Sequence, residues 1–376
     1  MKNRENDVLP YDMIEIILLQ LPVKSLLRFK SVSKSWEATI SDRKFAANHL
    51  RQSKKKNDSF DDGQDDLLLW VGKSSMDFLV FNLDPSKNCR WEMKSLSVLC
   101  YCDGLVLLHR HLPYDGSIYR LWNPSSKSEV NISCDPRIHR GGGHDYADVA
   151  QGLYYDQSVE DYKIVVTDMK NRYSIYRMRK KLWSDEMKEM EIDIPGEVVW
   201  CDKGSSFEGD TYWVVRTRAS GKEESFLVCF DSKREKFEKW GMPIGDNDDC
   251  KFYLTYLGSR LCLAYSKTKM NQLWFVKRVA GGGSGSGGSW VEFEEAMPLS
   301  RNYIKPLRLT NDKEIAREDG WRKSYTMYKY NVVTKTCAEI HVTTTPNGGY
   351  PQSPLYLENM FFSSTKSNDD VEESTN

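Results

Sequence analysis

The chain has 376 residues, of which 40% are hydrophobic, 28% are charged and 12% are aromatic, and its formal net charge is −1. This composition is typical of a globular protein, and the near-neutral charge argues against a general nucleic-acid or anionic-lipid binder. No apolar run approaches the roughly 18 residues of a membrane-spanning helix, and the polar first ten residues lack a signal-peptide core. Because the nine cysteines are scattered, and Cys229 and Cys262 lie in apolar runs, we expect reduced thiols in a cytoplasmic or nuclear protein.

The first 50 residues carry the apolar spacing of short helices. Four successive stretches, Ile14–Leu21, Val23–Leu27, Val32–Ile40 and Phe45–His49, predict four helices, with Pro22 suited to the start of the second. The first helix is apolar on nearly every side, so more than one of its faces must be buried. So small a unit buries little surface alone. The spacing does not decide whether this apolar surface is buried by the rest of the chain or by a partner protein.

From Leu67 onward, short runs rich in Val, Ile, Tyr, Phe and Trp alternate with turn residues at intervals of roughly 8–15 residues, which predicts antiparallel strands. A strand–turn–strand repeat has six copies, which start near Asp77, Ser117, Tyr173, Ser225, Gln272 and Tyr325. Their spacing of about 40–56 residues is that of propeller blades. We therefore predict a mainly β fold with a small all-α N-terminal unit at residues 1–50 and a six-bladed β-propeller at residues 67–362. An irregular array of β-sandwiches is the alternative.

Three segments have compositions unsuited to a packed core. Residues 51–66 are basic and then acidic, and we expect a flexible linker there. The run Gly281–Ser289 falls inside the fifth copy and has the composition of an engineered flexible linker that replaces a longer hairpin loop, with a natural low-complexity loop as the alternative. Residues 363–376 are polar and acidic, and we expect a disordered tail.

No arrangement of residues in the sequence is specific for catalysis or metal binding. Cys100 and Cys102 could face His109 and His111 across two strands, but zinc sites use longer spacers within each ligand pair. Short basic runs such as Arg177–Lys181 are more typical of a solvated surface than of a nucleic-acid site. We therefore expect no enzymatic activity, no cofactor and no metal.

The segment Leu9–Leu50 resembles an F-box. It contains Leu-Pro, an aliphatic helix, Leu-Pro-x-Lys-x-Leu and Val-x-Lys-x-Trp in the family's order. The resemblance implies a helical unit that docks on the Skp-type adaptor of a cullin–RING ubiquitin ligase. The adaptor contacts that it implies are Leu9, Pro10, Ile14, Ile17, Leu18, Leu21, Pro22, Val23, Leu26, Leu27, Val32 and Trp36. We expect Val32 and Trp36 to brace the helices from beneath. The basic residues expected at the rim are Lys24, Arg28, Lys30 and Lys34.

Most of residues 100–340 resembles the plant F-box-associated interaction domain. Pieces such as "YRLWNPSSK", "YSIYRMRKKLWSD" and "FLVCFDSKREKFEKWGMP" occur in the family's order. The order is also similar to that of the S-locus F-box proteins, which recognise secreted pistil ribonucleases in pollen. The run "GGGHDYADVAQGLYYD" departs from the usual Gly-Phe-Gly-Tyr-Asp of these proteins.

Together the two resemblances imply a non-catalytic substrate receptor of an SCF-type ubiquitin ligase. Its partners would be the Skp-type adaptor, through it the cullin–RING ligase, and a protein target such as an S-ribonuclease, with no nucleic acid or membrane partner. Target contacts are expected in loops 110–117, 139–149, 201–209, 244–251 and 311–324, around Tyr114, His144, Phe207, Asp248 and Trp321. An F-box scaffold acting outside a ligase and an enzymatic propeller are the alternatives.

Overall fold

The computed structural model covers an N-terminal helical region and a β-rich remainder. The residues that it describes are 10–58, 67–71, 76–80, 89–93, 96–110, 118–138, 149–194, 196–201, 203–219, 222–243, 251–257, 260–267, 270–277, 289–292, 304–311, 314–321, 324–331, 336–340, 350–352 and 359–361.

Four helices form at the places that the apolar spacing predicts. They are α1 (Tyr11–Leu19), α2 (Val23–Phe29), α3 (Lys34–Ser41) and α4 (Arg43–Asp58). Pro22 directly precedes α2 in an extended conformation, and the Ser33 hydroxyl caps α3 by accepting a hydrogen bond from the Trp36 N–H at 3.2 Å. We call residues 10–58 the helical unit.

The linker prediction is wrong for residues 51–58, which extend α4 instead. Composition suggested that this segment had nothing to bury. In the structure Ser53 is buried, and the Lys54 ammonium lies 2.8 Å from the Asp103 carboxylate in the β-rich part. A tertiary contact therefore orders a segment whose own sequence is polar. The remainder of the predicted linker, 59–66, lies outside the described residues.

The described strands form six successive groups, numbered here blades 1 to 6, and within each group the strands pair antiparallel. A short parallel pairing of Gly204 and Ser205 with Cys100 and Tyr101 joins blades 2 and 4 into one nine-stranded sheet. Blade 1 contains β1 (Leu67–Val71), β2 (Met76–Val80) and β3 (Cys89–Met93), and blade 2 contains β4 (Leu96–Cys102), β5 (Leu105–Arg110), β6 (Ile118–Asn123) and β7 (Ser128–Ser133). Blade 3 contains β8 (Gln151–Asp156), β9 (Asp161–Thr167), β10 (Arg172–Arg177), β11 (Leu182–Trp183) and β12 (Lys188–Glu189), and blade 4 contains β13 (Glu197–Trp200), β14 (Gly204–Phe207), β15 (Asp210–Ala219), β16 (Lys222–Asp231) and β17 (Lys236–Gly241). Blade 5 contains β18 (Lys251–Leu257), β19 (Arg260–Lys267), β20 (Met270–Lys277) and β21 (Ser289–Glu292), blade 6 contains β22 (Ile304–Asn311), β23 (Glu314–Trp321), β24 (Ser324–Asn331) and β25 (Thr336–Ile340), and β26 (Tyr350–Gln352) follows.

The sequence repeat corresponds to one part of each blade. Five of the six copies supply the last two strands of their blade, for example β6 and β7 in blade 2 and β16 and β17 in blade 4, and the copy in blade 3 supplies β10 and β11. The predicted six-bladed repeat is therefore confirmed. In blade 5, β20 pairs with β21 across the glycine–serine run, with Lys277 opposite Ser289. Residues 281–288 of that run lie outside the described residues, as does the predicted tail at 363–376.

The first blade is completed by the end of the chain. Strand β26 pairs antiparallel with β1, with Leu69 opposite Gln352 and Val71 opposite Tyr350, so blade 1 combines one C-terminal strand with three strands from the start of the domain. This exchange joins the last blade to the first and leaves β1 paired along both sides.

Apolar clusters lie between neighbouring blades. One joins blades 2 and 3, a second joins blades 3 and 4 around Trp213, and a third joins blades 4 and 5 and includes the buried Cys229. Cys262 is buried as well, in agreement with the apolar runs in which both cysteines lie. Within blade 2, the β4–β5 turn consists of Asp103 and Gly104, whose φ angles of 52° and 81° suit a two-residue hairpin turn.

Candidate functional site

The helical unit has an apolar core of its own. It comprises Leu18, Leu19, Val23, Leu26, Ile40 and Phe45 from the four helices, together with Met360 from the end of the chain. Phe29 and Trp36 pack edge to face at its margin, with ring centroids 5.5 Å apart. His49 Nε2 lies 2.9 Å from the Leu21 carbonyl oxygen and ties α4 to the end of α1. The residues that make the helices thus also hold them together.

A second apolar face of α1 is exposed. Met13, Ile16 and Ile17, at helical spacing i, i+3 and i+4, are 48%, 50% and 47% exposed. Tyr11 on the same helix and Val32 between α2 and α3 are 54% and 59% exposed. These five account for more than half of the nine large, exposed apolar side chains in the described part of the chain. Because Met13, Ile16 and Ile17 lie on one side of α1, we call these three side chains the exposed apolar face. Clustering of this kind is typical of a protein interaction surface.

The residues predicted to contact an adaptor divide by burial. Pro10, Ile17, Pro22 and Val32 are exposed; Ile14, Leu21, Leu27 and Trp36 are partly buried; Leu18, Val23 and Leu26 are at most 1% exposed; and Leu9 lies outside the described residues. Burial places the three innermost leucine and valine side chains in the helical core. Val32 does not brace the helices from beneath as expected, since more than half of its side chain surface faces solvent, whereas Trp36 does pack against Phe29.

Sequence reasoning missed Tyr11, Met13 and Ile16. The exposure of Met13 and Ile16 follows from the register of α1, in which Leu18 and Leu19 face the core. Tyr11 is exposed at the first residue of the helix. The apolar content of α1 on every side was the available signal, but the sequence alone did not fix which side faces inward.

The predicted basic residues lie in α2, directly after it and at the start of α3. Lys24, Arg28 and Lys34 are exposed, as expected for the rim. Lys30 is partly buried, and this burial lowers the pKa of its ammonium despite the opposing charge of Glu37. Helix α1 itself carries Asp12 and Glu15, so the helical unit presents both signs of charge.

Comparisons with known proteins agree with this geometry. Residues 7–48 match the F-box domain, and residues 68–340 match the F-box associated beta propeller domain. The chain belongs to the F-box associated β-propeller family. An F-box/kelch-repeat protein of Arabidopsis thaliana is 29% identical over 323 residues, covering 81% of this chain and 83% of that protein. Another F-box protein of the same plant is 26% identical, covering 83% of this chain and 82% of that protein.

Among solved structures, TolB from Acinetobacter baumannii superposes with a TM-score of 0.44 and 8% identity, covering 82% of this chain and 71% of that one. The relatives identify the chain as a plant F-box protein with an F-box associated domain, and F-box domains bind Skp-type adaptors of cullin ligases. The helical unit therefore contains the F-box, and its exposed apolar face is the candidate adaptor surface.

The residues predicted for target binding lie mostly beyond the described parts of the F-box associated domain. Tyr114, His144 and Asp248 fall outside the described residues. The loops predicted at 201–209 and 311–324 are wrong, because β14 occupies Gly204–Phe207 and β23 occupies Glu314–Trp321. Phe207 is partly buried against the cluster between blades 4 and 5, so it contributes to packing rather than to a free loop. Trp321 is the last residue of β23.

The cysteine and histidine residues of blade 2 do not form a metal site in the described structure. Cys102 lies opposite Leu105 in the β4–β5 ladder, whereas His109 lies opposite Ser97 at the other end; His111 is outside the described residues. Burial strongly raises the pKa of both Cys100 and Cys102, so these thiols stay protonated at neutral pH. No cluster of potential metal ligands and no helix long and apolar enough to cross a bilayer occurs among the residues described.

Proposed function

We propose that this F-box protein is the substrate receptor of an SCF-type ubiquitin ligase. In this proposal the F-box binds the Skp-type adaptor and the propeller captures a protein target. The proposal rests on the exposed apolar face. Neither the helical core nor the propeller buries these α1 side chains, and exposed apolar surface of this kind is typical of a site that binds another protein. An adaptor surface of complementary shape would cover it.

The adaptor surface follows from the observed burial. Met13, Ile16, Ile17 and Val32 would make the direct contacts, with Lys24 among the basic residues at the rim. Leu18, Val23 and Leu26 would act indirectly by holding the helices in place, because they lie in the helical core. Aspartate substitutions at Leu18 or Leu26 would therefore report on folding of the F-box rather than on adaptor contact.

The receptor would contribute no bond chemistry. By holding the target beside a ubiquitin-charged enzyme, it would raise the effective concentration of a target lysine near the reactive thioester. The rate of ubiquitin transfer would then depend on how firmly each domain holds its partner. The rate would also depend on how rigidly the F-box and the propeller are oriented relative to each other.

The target class is the finer part of the proposal. The similarity to S-locus F-box proteins makes an S-ribonuclease one target to test, and we place the complex in the cytoplasm or nucleus, where ubiquitin ligases act. The test is binding of a panel of purified S-ribonucleases to the full chain, with an unrelated secreted ribonuclease as control. Binding of the control as strongly as the panel would remove this target class.

The receptor function is tested by affinity purification from plant cells with the proteasome blocked, followed by mass spectrometry. We expect the Skp-type adaptor and a cullin to co-purify, together with at least one protein that accumulates only under the block. Recovery of the adaptor without a cullin would instead support a scaffold acting outside a ligase.

A further inference from the structure

The end of the described chain, Asn359–Phe361, lies between the F-box and the propeller. Met360 is 1% exposed and packs in the helical core with residues of α1, α2, α3 and α4. The core of the N-terminal F-box therefore includes a side chain from the C-terminal part of the chain. The residues on either side of Met360 face the propeller instead.

Asn359 is fixed by hydrogen bonds to blades 2 and 3. It is 3% exposed, and its side-chain amide nitrogen donates to the Asp103 carbonyl oxygen and to the Tyr162 hydroxyl, both at 2.8 Å. Its backbone N–H donates to the Ser125 hydroxyl at 3.2 Å. Its side-chain oxygen accepts from the Phe361 N–H at 2.7 Å. Buried amide groups satisfied in this way hold a single conformation.

Asn123 of blade 2 forms hydrogen bonds to the backbone on both sides of Met360. Its side-chain nitrogen donates to the Asn359 carbonyl oxygen at 2.9 Å and to the Phe361 carbonyl oxygen at 2.7 Å. The Phe361 ring packs edge to face on Tyr162, with centroids 4.6 Å apart. The position of Met360 is thus set by the propeller, although its side chain is buried in the F-box.

A second contact joins the same two bodies at the β4–β5 turn. Lys54 of α4 pairs with Asp103, whose carbonyl oxygen also accepts the bond from Asn359. Burial of Lys54 by itself lowers the pKa of its ammonium, but the charge of Asp103 and the hydrogen bond to it, together with smaller contributions from neighbouring groups, raise the pKa overall. The turn is therefore held both by α4 and by the end of the chain.

We propose that Asn359–Phe361 is a clamp that holds the F-box at a fixed orientation on the propeller and couples the stability of the helices to propeller contacts. Met360 anchors it in the F-box, while Asn359 and Phe361 anchor it on blades 2 and 3. If the receptor function proposed above holds, on which this consequence rests, the clamp sets the distance from the adaptor to a bound target.

The test is hydrogen–deuterium exchange on the full chain without adaptor, so its outcome does not depend on the receptor function. Met360→Ala removes the anchor in the F-box. Asn359→Ala removes only the side-chain hydrogen bonds to Asp103, Tyr162 and Phe361, and none to a helix. We expect both variants to exchange at least tenfold faster in α1–α4, with the rates in β15 and β16 unchanged.

Matched variants separate the clamp from a general loss of stability. Met169→Ala makes the same chemical change at a side chain that is 58% exposed, and Lys55→Ala is the exposed neighbour of Lys54→Ala. We expect Lys54→Ala, but neither control, to speed exchange in α4 and at the Asp103–Gly104 turn. Wild-type helix exchange in Asn359→Ala would overturn the proposal, as would equal acceleration in β15 and β16.

Discussion

Ile17 and Leu18 are neighbours in the sequence, yet 47% of one side chain and 1% of the other is exposed. The difference follows from the 100° step between successive helix residues, which turns Leu18 into the helical core and Ile17 away from it. A resemblance to the F-box family identified both residues as adaptor contacts. The structure is needed to separate the residue that can meet a partner from the one that supports it.

An ion pair between the buried Asp135 and the partly exposed Arg137 joins blades 2 and 3. Asp135, 1% exposed, accepts hydrogen bonds from the Arg137 backbone N–H and from two guanidinium nitrogens, at 2.6–2.9 Å. Arg137 in turn donates to the carbonyl oxygens of Ser184 and Asp185 in blade 3. Burial alone would raise the pKa of the Asp135 carboxyl, but the hydrogen bonds from Arg137 outweigh it and lower the pKa.

We expect Asp135→Asn to lower the free energy of unfolding by about 2 kcal/mol at neutral pH, because it removes a charge-assisted network. Since the folded pKa lies below the ordinary value of 3.8, the carboxylate's contribution is fully present above that value. It is lost as the pH falls through the folded pKa. Denaturation measured between pH 7 and pH 3 should therefore show that the difference in unfolding free energy between the wild type and Asp135→Asn becomes smaller as the pH falls. Asp193→Asn, at an exposed position, is the control.

At the scale of elements, the close approach of blades 3 and 4 depends on a missing side chain. A Cβ atom built at Gly152 of β8 would lie 2.8 Å from Trp213 Cζ2 and 2.9 Å from Val165 Cγ1. Trp213 is 1% exposed, and its indole N–H donates to the Gln151 carbonyl oxygen at 3.2 Å. The indole is therefore held against β8 and has little room to move.

Gly152→Ala should consequently destabilise the protein by about 1–3 kcal/mol through overpacking. Gly241→Ala at the end of β17 is the matched control, because a Cβ atom there meets nothing within 4 Å. The unfolding temperatures of both variants can be measured by thermal unfolding monitored through tryptophan fluorescence. Equal unfolding temperatures for the two variants would mean that the blade interface adapts to the added methyl group.

Local patterns predicted most elements of the fold. The helical spacing of α1–α3 and the strand–turn–strand repeat depend on neighbouring residues, and both are found in the structure. The extension of α4, the return of β26 to blade 1 and the burial of Met360 depend on contacts between distant parts of the chain. Such contacts leave no period in the sequence, which is why residues 51–58 were expected to be flexible.

At the scale of the whole molecule, the end of the chain contributes both to ring closure and to the F-box core. Strand β26 completes blade 1, and Met360 completes the helical core a few residues later. The two ends of the chain are therefore mutually dependent. Many F-box residues can be identified from the first 50 positions, but their stability depends on the last described ones.

Truncation tests this dependence. A chain ending at Phe362 keeps β26 and Met360, and we expect it to unfold at the wild-type temperature. A chain ending at Asn347 lacks both, and we expect a lower unfolding temperature and faster proteolysis of the helical unit. Wild-type protease resistance of the helical unit in the shorter chain would refute a structural role for the C-terminal residues.

The most direct test of the receptor account is the affinity of the purified full chain for a Skp-type adaptor, measured by calorimetry. Ile17→Asp places a charge on the exposed apolar face, and we expect a loss of about 2 kcal/mol or more, roughly 30-fold in Kd. Leu182→Asp, at a propeller side chain that is 63% exposed, should bind as the wild type does. Wild-type affinity in a correctly folded Ile17→Asp variant would contradict the account.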